Sequence, residues 1–237
     1  MALADASRAF VADADFDLNG GVIAVDLATG EQTKVAASTE FHRPFGIARR
    51  SDGQLVVAYV FGADETPGTV MLVDPASGAH TPFAPDVDFF RPVGVAIDSA
   101  GDVFVVENDF SGVRSVLHRF DHDGAHSVVA AGEPPGSQYS AVTHEPGGGI
   151  LVGRSPAGPG PADILRFDPA TGSFTAVSHG QTFGSPMGLA VEASGGIIVA
   201  DPHLGAGIVR IDPATGVETH VSPPSPLALP TGVAIVP

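Results

Sequence analysis

The sequence predicts an all-β fold, a five-bladed β-propeller built from four-stranded antiparallel blades, because two motifs recur in step along the chain. The first motif is Pro-x-Gly-[Ile/Val/Leu]-Ala, and its glycine positions, 48, 47, 47 and 44 residues apart, are Gly46, Gly94, Ala141 (a degenerate copy), Gly188 and Gly232. The second motif is a turn that starts with aspartate and ends with glycine, with the same spacings, at Asp26, Asp74, Asp121, Asp168 and Asp212. A unit of this length repeated around an axis is typical of a propeller blade.

Residues 91–132 show how one unit is built. Apolar runs at Pro92–Ile97, Val103–Val106, Ser115–Phe120 and Ser127–Ala130 are separated by segments that contain Gly or Asp. Each run is too short for a stable helix, and Gly and Asp supply the backbone conformations that tight turns need. The unit is therefore predicted to be a four-stranded antiparallel meander.

The two ends of the chain predict how the ring closes. The N-terminal unit begins with a second strand at residues 9–12 and continues with strands at 22–26 and 32–36, while a lone first strand remains at residues 232–236. We expect this C-terminal strand to join the N-terminal blade, because pairing there would cover an open sheet edge. Residues 1–237 then form a single domain of five blades.

Composition and charge exclude several classes of function. The chain has no Cys, which rules out disulfides and thiolate chemistry. Its 11 basic and 27 acidic residues give a net charge of −16 at pH 7, which repels phosphate backbones and anionic lipids, so neither nucleic acid nor a membrane is an expected partner. The chain shows no long apolar run and no secretory signal, so we expect a cytoplasmic protein, and a monomer.

A ring of polar residues follows the second strand of each blade. Each of them comes two positions after a core Val, and they are Asp13, Tyr59, Glu107, Arg154 and Asp201. In a propeller the ends of the second strands and the starts of the first strands meet at one mouth of the central channel, so we expect these side chains to converge there. The other end is formed by tight glycine turns and is expected to offer little room for a ligand.

The residue types at this mouth indicate candidate roles. The catalytic candidates are Glu107, Tyr59 and Arg154 with the loop histidines His42 and His203, because Glu and His serve as general acids and bases. The candidates for substrate binding, which supply cations and aromatic walls, are Arg43, Arg91, Tyr139, Phe90 and Phe183.

Structural roles remain open for several of these residues. Asp13 and Asp201 could bond the backbone N–H groups of a loop instead. Glu107 and Arg154 belong to adjacent blades and could form an ion pair. His118 falls in a register that Met and aliphatic residues occupy in the other blades, so we expect it to be a packed side chain.

The first-strand motif, the glycine turn after it and the following [Val/Ile]-x-Val-Ala-Asp resemble NHL repeats over nearly the whole chain. They are also similar to the propellers of the SMP-30/gluconolactonase and virginiamycin B lyase groups. The SMP-30 resemblance implies a divalent cation, Ca²⁺ or Mg²⁺, held at the channel mouth, for which the nearest matches are Asp13, Glu107, Asn108 and Asp201. Oxygen ligands of this kind suit hard cations.

These observations predict an enzyme that acts on a small molecule at the channel mouth. It would be a hydrolase of lactonase type or a lyase that uses carboxylate and His groups, with the divalent cation or with no cofactor. The alternatives are a ligand-binding or protein-interaction propeller without catalysis, a metal-free lyase, isomerase or cyclase, and a glycosidase that resembles the arabinanases.

Overall fold

The fold was analysed in a computed structural model, which describes residues 2–5, 8–14, 20–37, 41–62, 67–108, 115–131, 137–156, 160–202, 207–221 and 233. Twenty strands form five four-stranded antiparallel sheets arranged as the blades of a ring. The described ranges contain no helix, and thus none that could cross a membrane. The predicted all-β architecture with five blades is confirmed.

Each blade is a meander in which consecutive strands are hydrogen-bonded neighbours. The first blade contains β1 (Ala2–Asp5), β2 (Arg8–Asp13), β3 (Gly21–Asp26) and β4 (Gln32–Ala37). The second contains β5 (Phe41–Arg49), β6 (Leu55–Gly62), β7 (Thr69–Val73) and β8 (His80–Pro82). The third contains β9 (Pro92–Ile97), β10 (Val103–Asn108), β11 (Ser115–Phe120) and β12 (His126–Ala131).

The remaining two blades follow the same plan. The fourth contains β13 (Gln138–His144), β14 (Ile150–Ser155), β15 (Asp163–Asp168) and β16 (Ser173–Ser178). The fifth contains β17 (Gly188–Val191), β18 (Ile197–Asp201), β19 (Gly207–Ile211) and β20 (Glu218–His220). The strands of the third blade match the four runs predicted for it, with bounds that differ by at most a few residues.

The hydrophobic core lies between the blades. All six residues of β10 are buried, because each face of this sheet meets a neighbouring sheet. One core cluster joins Phe104 of the third blade to Val152 of the fourth, and another joins Val56 of the second blade to Val105 of the third. Each such fully buried side chain stabilises the fold by about 1.5–3 kcal/mol relative to exposure.

The glycine of the first motif lets the innermost strands come close together. A Cβ atom placed on Gly46 would lie 2.8 Å from both the Cα of Gly94 and the backbone N of Val95. A Cβ on Gly94 would lie 2.7 Å from Cγ2 of Val106. Real Cβ atoms do not approach so closely, so glycine is a packing requirement at these two positions, whereas the fourth blade has Ala141 at the equivalent place.

The aspartate turns are structural, as the sequence predicts. Asp168 Oδ1 accepts a hydrogen bond from the backbone N–H of Ala170, and the Gly172 N–H donates to the Asp168 carbonyl. Gly172 has a φ of 69°, a left-handed conformation that glycine adopts without strain. The same pattern fixes the turns that start at Asp26, Asp74 and Asp212.

The N-terminal blade differs from the prediction in its edge strand. We predicted that residues 232–236 supply the strand beside β2, but β1 pairs with β2 through Ala2↔Phe10, Leu3↔Ala9 and Asp5↔Arg8. The prediction missed β1 because residues 2–5 lack the first-strand motif. Of the predicted C-terminal strand only Val233 lies within the described residues, and it lines the central channel.

Candidate functional site

A cavity of about 320 Å³ lies on the axis of the ring. It is lined by residues 45–49 of β5, 93–97 of β9 and 140–144 of β13, by residues 187–189 at the start of the fifth blade, and by Val233. This volume is at the lower end of the range for cavities that bind small molecules. The cavity is therefore large enough for a compact ligand.

The surface of the cavity is mainly polar, with a few apolar side chains. Phe45 is 40% exposed and Met187 is partly exposed, so apolar surface faces the channel. The polar side chains of the lining are Ser140, Thr143 and His144 of β13 and Arg49 of β5. Among the described lining residues, Arg49 carries the charged side chain. Ser140 Oγ donates a hydrogen bond to the Pro186 carbonyl at 2.8 Å, which fixes its position.

The five residues predicted to converge at the mouth are all described, and none of them lines this cavity. Asp201, at the end of β18, is only 1% exposed. Its Oδ2 accepts hydrogen bonds from the backbone N–H groups of Gly184 and Ser185, at 2.5 and 3.3 Å. These two residues belong to the linker that leads into β17, so the carboxylate holds the linker against its own blade.

Glu107 occupies the equivalent place in the third blade. Its Oε2 accepts a hydrogen bond from the backbone N–H of Phe90 at 2.8 Å, in the linker that leads into β9. Its Oε1 lies 3.6 Å from His118 Nε2. Arg154 instead bonds Asp163, the residue opposite it on β15, so these contacts take the place of the expected ion pair between Glu107 and Arg154.

Asn108 and Ser115 form a buried network that joins the third blade to the fourth. Asn108 Nδ2 donates to the Tyr139 carbonyl at 2.7 Å, and Asn108 Oδ1 accepts from Ser115 Oγ at 2.6 Å. Ser115 Oγ also accepts from the Tyr139 backbone N–H at 3.0 Å. The network fixes the start of β13, and it uses both polar atoms of the Asn108 side chain.

The other two ring positions also lie outside the cavity. Tyr59 is buried in a core cluster with Val22 and Ile47, and this burial raises the pKa of its phenol. Asp13 ends β2 opposite Gly21 and is partly exposed.

The predicted substrate-binding residues are spread over different environments. Phe183 is completely buried, and Tyr139 is buried against Phe174, with 6.3 Å between ring centroids. Phe90 is 52% exposed, and Arg43 is exposed with a left-handed φ of 57°. Arg91 is partly buried in the linker before β9. The side chain of His42 and the whole of His203 lie outside the described residues.

The residues predicted to hold a cation do not form a shared site. Glu107 and Asp201 accept hydrogen bonds from the linkers of different blades. Both polar atoms of the Asn108 side chain are hydrogen-bonded, to Tyr139 and to Ser115. Within the described ranges no group of three or more His, Asp or Glu side chains could hold one metal ion. These residues do not fit a shared Ca²⁺ or Mg²⁺, and we derive no reaction step through one.

The end of the ring that carries the glycine turns is less closed than the sequence predicts. Two depressions of about 570 and 460 Å³ lie there beside the fourth and fifth blades, and they share Ser194 and Pro213. Bidentate ion pairs border them, Arg166 with Glu145 and Arg210 with Glu192. Both depressions lie off the axis.

Sequence reasoning missed the polar residues of β13, although a signal for them exists. The first motif is degenerate in the fourth blade, where Ser140 and Thr143 stand at its second and last positions. We used this copy only to count blades. A polar residue at the Ala position of the motif, such as Thr143, indicates that the lining of the channel becomes polar at that position.

Comparison with known proteins supports the fold. No protein-family model and no curated protein matches the chain. Among solved structures it is similar to a nidogen/laminin complex, with a TM-score of 0.71, 16% identity, and coverage of 96% of this chain and 81% of the other. The fold is a β-propeller.

Two further propellers show how widely this fold is used. TolB from Acinetobacter baumannii has a TM-score of 0.65 at 14% identity, covering 91% of this chain and 52% of TolB. The PQQ-bound aldose sugar dehydrogenase from Streptomyces coelicolor has a TM-score of 0.60 at 20% identity, covering 85% of this chain and 73% of the enzyme. These structures carry different names, a dehydrogenase among them, and all are at most 20% identical to this chain, so the likeness carries no assignment of activity.

Proposed function

We propose that this propeller is a ligand-binding protein whose central cavity takes a small, mainly polar molecule with an acidic or other hydrogen-bond-accepting end. The observation that carries this proposal is that the axial cavity and the predicted catalytic ring lie in different places. The axial cavity is lined by the innermost strands, whereas the described residues of the predicted catalytic ring lie outside it.

The contacts of the ring residues support binding over catalysis. A general acid or base must reach the reacting atom of the substrate within hydrogen-bond distance. The carboxylate oxygens of Asp201 and Glu107 instead accept backbone N–H bonds from linkers, and Arg154 bonds Asp163. These groups organise the blades. For Asp201 this is the structural alternative that the sequence left open, whereas for Glu107 and Arg154 that alternative was a mutual ion pair.

The lining of the cavity indicates the chemistry of the ligand. The surface of the cavity is mainly polar and favours a polar ligand, while Phe45 and Met187 can contact a limited apolar part of it. Thr143 and His144 can hydrogen-bond a polar end, and the positive charge of Arg49 favours an acidic group there.

A channel-filling variant tests the proposal. Purified protein is screened by thermal shift against small carboxylic acids and lactones, and each hit is measured again with Thr143→Trp. Thr143 lines the cavity, and a Trp side chain there would occupy the space of the ligand. The matched control is Thr175→Trp on β16, an exposed position on the outer strand of the same blade.

The expected result is binding that Thr143→Trp abolishes and Thr175→Trp preserves. Hits that bind Thr143→Trp as tightly as wild type would place the binding site elsewhere and overturn the proposal. Loss of binding in both variants would point to global disruption, which a melting curve of each free variant detects.

A second candidate is the small-molecule enzyme predicted from the sequence, of the hydrolase or lactonase type or a lyase. The observation in its favour is that Glu107 Oε1 lies 3.6 Å from Nε2 of the buried His118, which brings together two side chains of the types that serve as general acids and bases. Turnover of any lactone in the same screen, lost in Glu107→Gln, would support it. Binding without turnover supports the first candidate.

A further inference from the structure

The strand β5 carries an arginine at each end of the axial cavity. Residues 45–49 of this strand line the cavity, and Arg49, the last of them, is exposed at the end of the ring that carries the glycine turns. Arg43 lies two residues before the first lining residue, Phe45, and is exposed toward the opposite end. With a rise of about 3.3 Å per residue, the lined part of β5 is roughly 13 Å long. The cavity therefore follows the strand, and each of its ends has a cation nearby.

Arg43 holds its place with a strained backbone. Its φ of 57° lies in the left-handed region, and among the described residues it is the one residue other than glycine with a positive φ. Most residues avoid this conformation, and the proline that follows, Pro44, disfavours it further. Arg91 and Ser185 precede the equivalent prolines of the third and fifth blades without a positive φ. The repeat thus does not require the strain at Arg43, and strain of this kind clusters at functional sites.

Backbone groups of the innermost strands contribute to the polar surface between the two arginines. The strands β5, β9, β13 and β17 each lie at the end of their sheet, so one edge of each has N–H and C=O groups that no strand of that sheet pairs. The polar side chains of the lining belong to β5 and β13, so on β9 and at the start of the fifth blade the polar surface comes from the backbone. A hydroxyl group both donates and accepts hydrogen bonds, so it can bind either kind of backbone group.

The charge of the molecule makes the position of each arginine important for an acidic ligand. The net charge of −16 repels anions at long range, so an anion binds only where nearby cations offset that repulsion. Arginine can bind a carboxylate through two parallel N–H···O hydrogen bonds, which are stronger than hydrogen bonds between neutral groups. A cation at each end of the cavity therefore favours a ligand with an acidic group at each of its own ends.

We propose that the axial cavity takes a linear dicarboxylic acid whose chain carries hydroxyl groups, with one carboxylate at Arg49 and the other at Arg43. This inference rests on the proposed function, because it names the ligand class of the same cavity. An extended chain of six carbons is shorter than the roughly 13 Å of lined strand, so the arginine side chains would bend over the ends of the cavity to reach the carboxylates. Both side chains are exposed, which leaves them room to do so.

Galactarate and galactonate are matched probes for this proposal. Both are six-carbon hydroxy acids, and galactonate has a CH₂OH group where galactarate has its second carboxylate. Each is titrated into the full chain by calorimetry. We expect wild type to bind galactarate at least about tenfold more tightly than galactonate, because the second carboxylate gains charge-assisted hydrogen bonds.

Three variants assign the carboxylates to the two arginines. Arg43→Asn removes the charge, and Asn adopts the left-handed conformation more readily than most residues, so the melting temperature should not fall. It should lower galactarate affinity to that of galactonate and leave galactonate affinity unchanged. Arg49→Gln should weaken both acids by at least about tenfold, because the single carboxylate of galactonate binds at the lining arginine.

The matched control is Arg50→Gln. This variant removes the same charge from the neighbouring residue, which pairs with Asp52 at 3.2 Å and does not line the cavity. It should change neither affinity.

Several results would overturn the dicarboxylate proposal. They are no galactarate binding to wild type, equal affinity of wild type for the two acids, and an equal loss of affinity for both acids in Arg43→Asn. A loss in Arg50→Gln as large as in Arg43→Asn would also overturn it, because it would show a general charge effect. The proposed function is decided separately, since a hit whose binding Thr143→Trp abolishes binds in the axial cavity whatever acidic groups it carries.

Discussion

The carboxylate of Asp201 accepts hydrogen bonds from the backbone N–H groups of Gly184 and Ser185, and through them the end of β18 holds the linker that leads into β17. Glu107 makes the corresponding contact with Phe90 in the third blade. The same contact, a carboxylate that accepts a hydrogen bond from the backbone of a linker, therefore occurs in two blades at the position where the sequence predicts a catalytic ring. It connects the second strand of a blade to the chain that enters that blade.

This contact predicts a stability effect for Asp201. Replacing Asp201 by Ala leaves two backbone donors without their acceptor in a buried site, which should lower the free energy of unfolding by roughly 1–3 kcal/mol. Asp201→Asn keeps an acceptor oxygen and should cost less. Urea unfolding measures both changes. The control is Asp86→Ala, at an exposed aspartate. If Asp86→Ala lowered the free energy of unfolding as much as Asp201→Ala, the linker role of Asp201 would be contradicted.

Glu107→Gln separates the binding and enzyme accounts. The amide keeps an oxygen that can accept the Phe90 N–H but loses the charge, so we expect a loss of about 1 kcal/mol in the free energy of unfolding. Affinity for a ligand in the axial cavity should not change, since Glu107 does not line it. Calorimetry with a hit from the screen measures this. A fall in lactone turnover of roughly 10² with unchanged stability would support the enzyme account instead.

The repeat predicted most of the fold and little of the site. The close approach of the inner strands requires Gly46 and Gly94, and the aspartate turns are fixed by local hydrogen bonds, so both motifs recur in the sequence and give the number of blades. A residue such as Asp201 is also fixed by the repeat, but the sequence does not show whether its oxygens face the channel or a linker. That depends on the path of residues 179–185, which lie between blades and follow no motif.

The edge strand β1 shows a second limit of the repeat argument. Counting motifs assigns a first strand only where the first-strand motif occurs. Residues 2–5 lack that motif, yet they pair with β2. The contact between His118 and His126 was missed for a related reason. His118 fits the core register of the third strand, and only the structure shows that His126 faces its ring.

The close approach of the inner strands predicts the effect of Gly46→Ala. The added Cβ would meet backbone atoms of Gly94 and Val95 at 2.8–2.9 Å, and backbone cannot move aside as a side chain can. We expect a loss of about 1–3 kcal/mol in the free energy of unfolding. Gly147→Ala is the matched control, because a Cβ there meets nothing within 4 Å, and it should change stability by less than about 1 kcal/mol. Equal effects in the two variants would refute axial packing as the cause.

The aspartate turns predict how stability depends on acidic pH. Backbone N–H bonds from Thr29, Ala76 and Ala170 lower the pKa values of Asp26, Asp74 and Asp168 below 3.8. Because the folded-state pKa lies below the unfolded one, the stabilisation is complete above about pH 4 and is lost as the pH falls through the lowered values. Stability should therefore decline below about pH 4.

Asp168→Asn isolates one of these turns. The amide has no charge to lose, so the stability difference between wild type and Asp168→Asn should narrow as the pH falls below about 4. Urea unfolding at a series of pH values measures this difference. A stability difference between wild type and Asp168→Asn that stays constant down to the lowest pH of the series would show that the ionised form of Asp168 does not stabilise the turn.

The central claim is that the ligand of this propeller binds on the axis of the ring. The crystal structure of the complex with the tightest hit from the screen tests it most directly. We predict ligand density between β5, β9, β13 and β17, with Thr143 within about 4 Å of the ligand. Ligand density beside Glu107 and Asp201 at the ends of the second strands, or in the depressions beside Pro213, would contradict the claim.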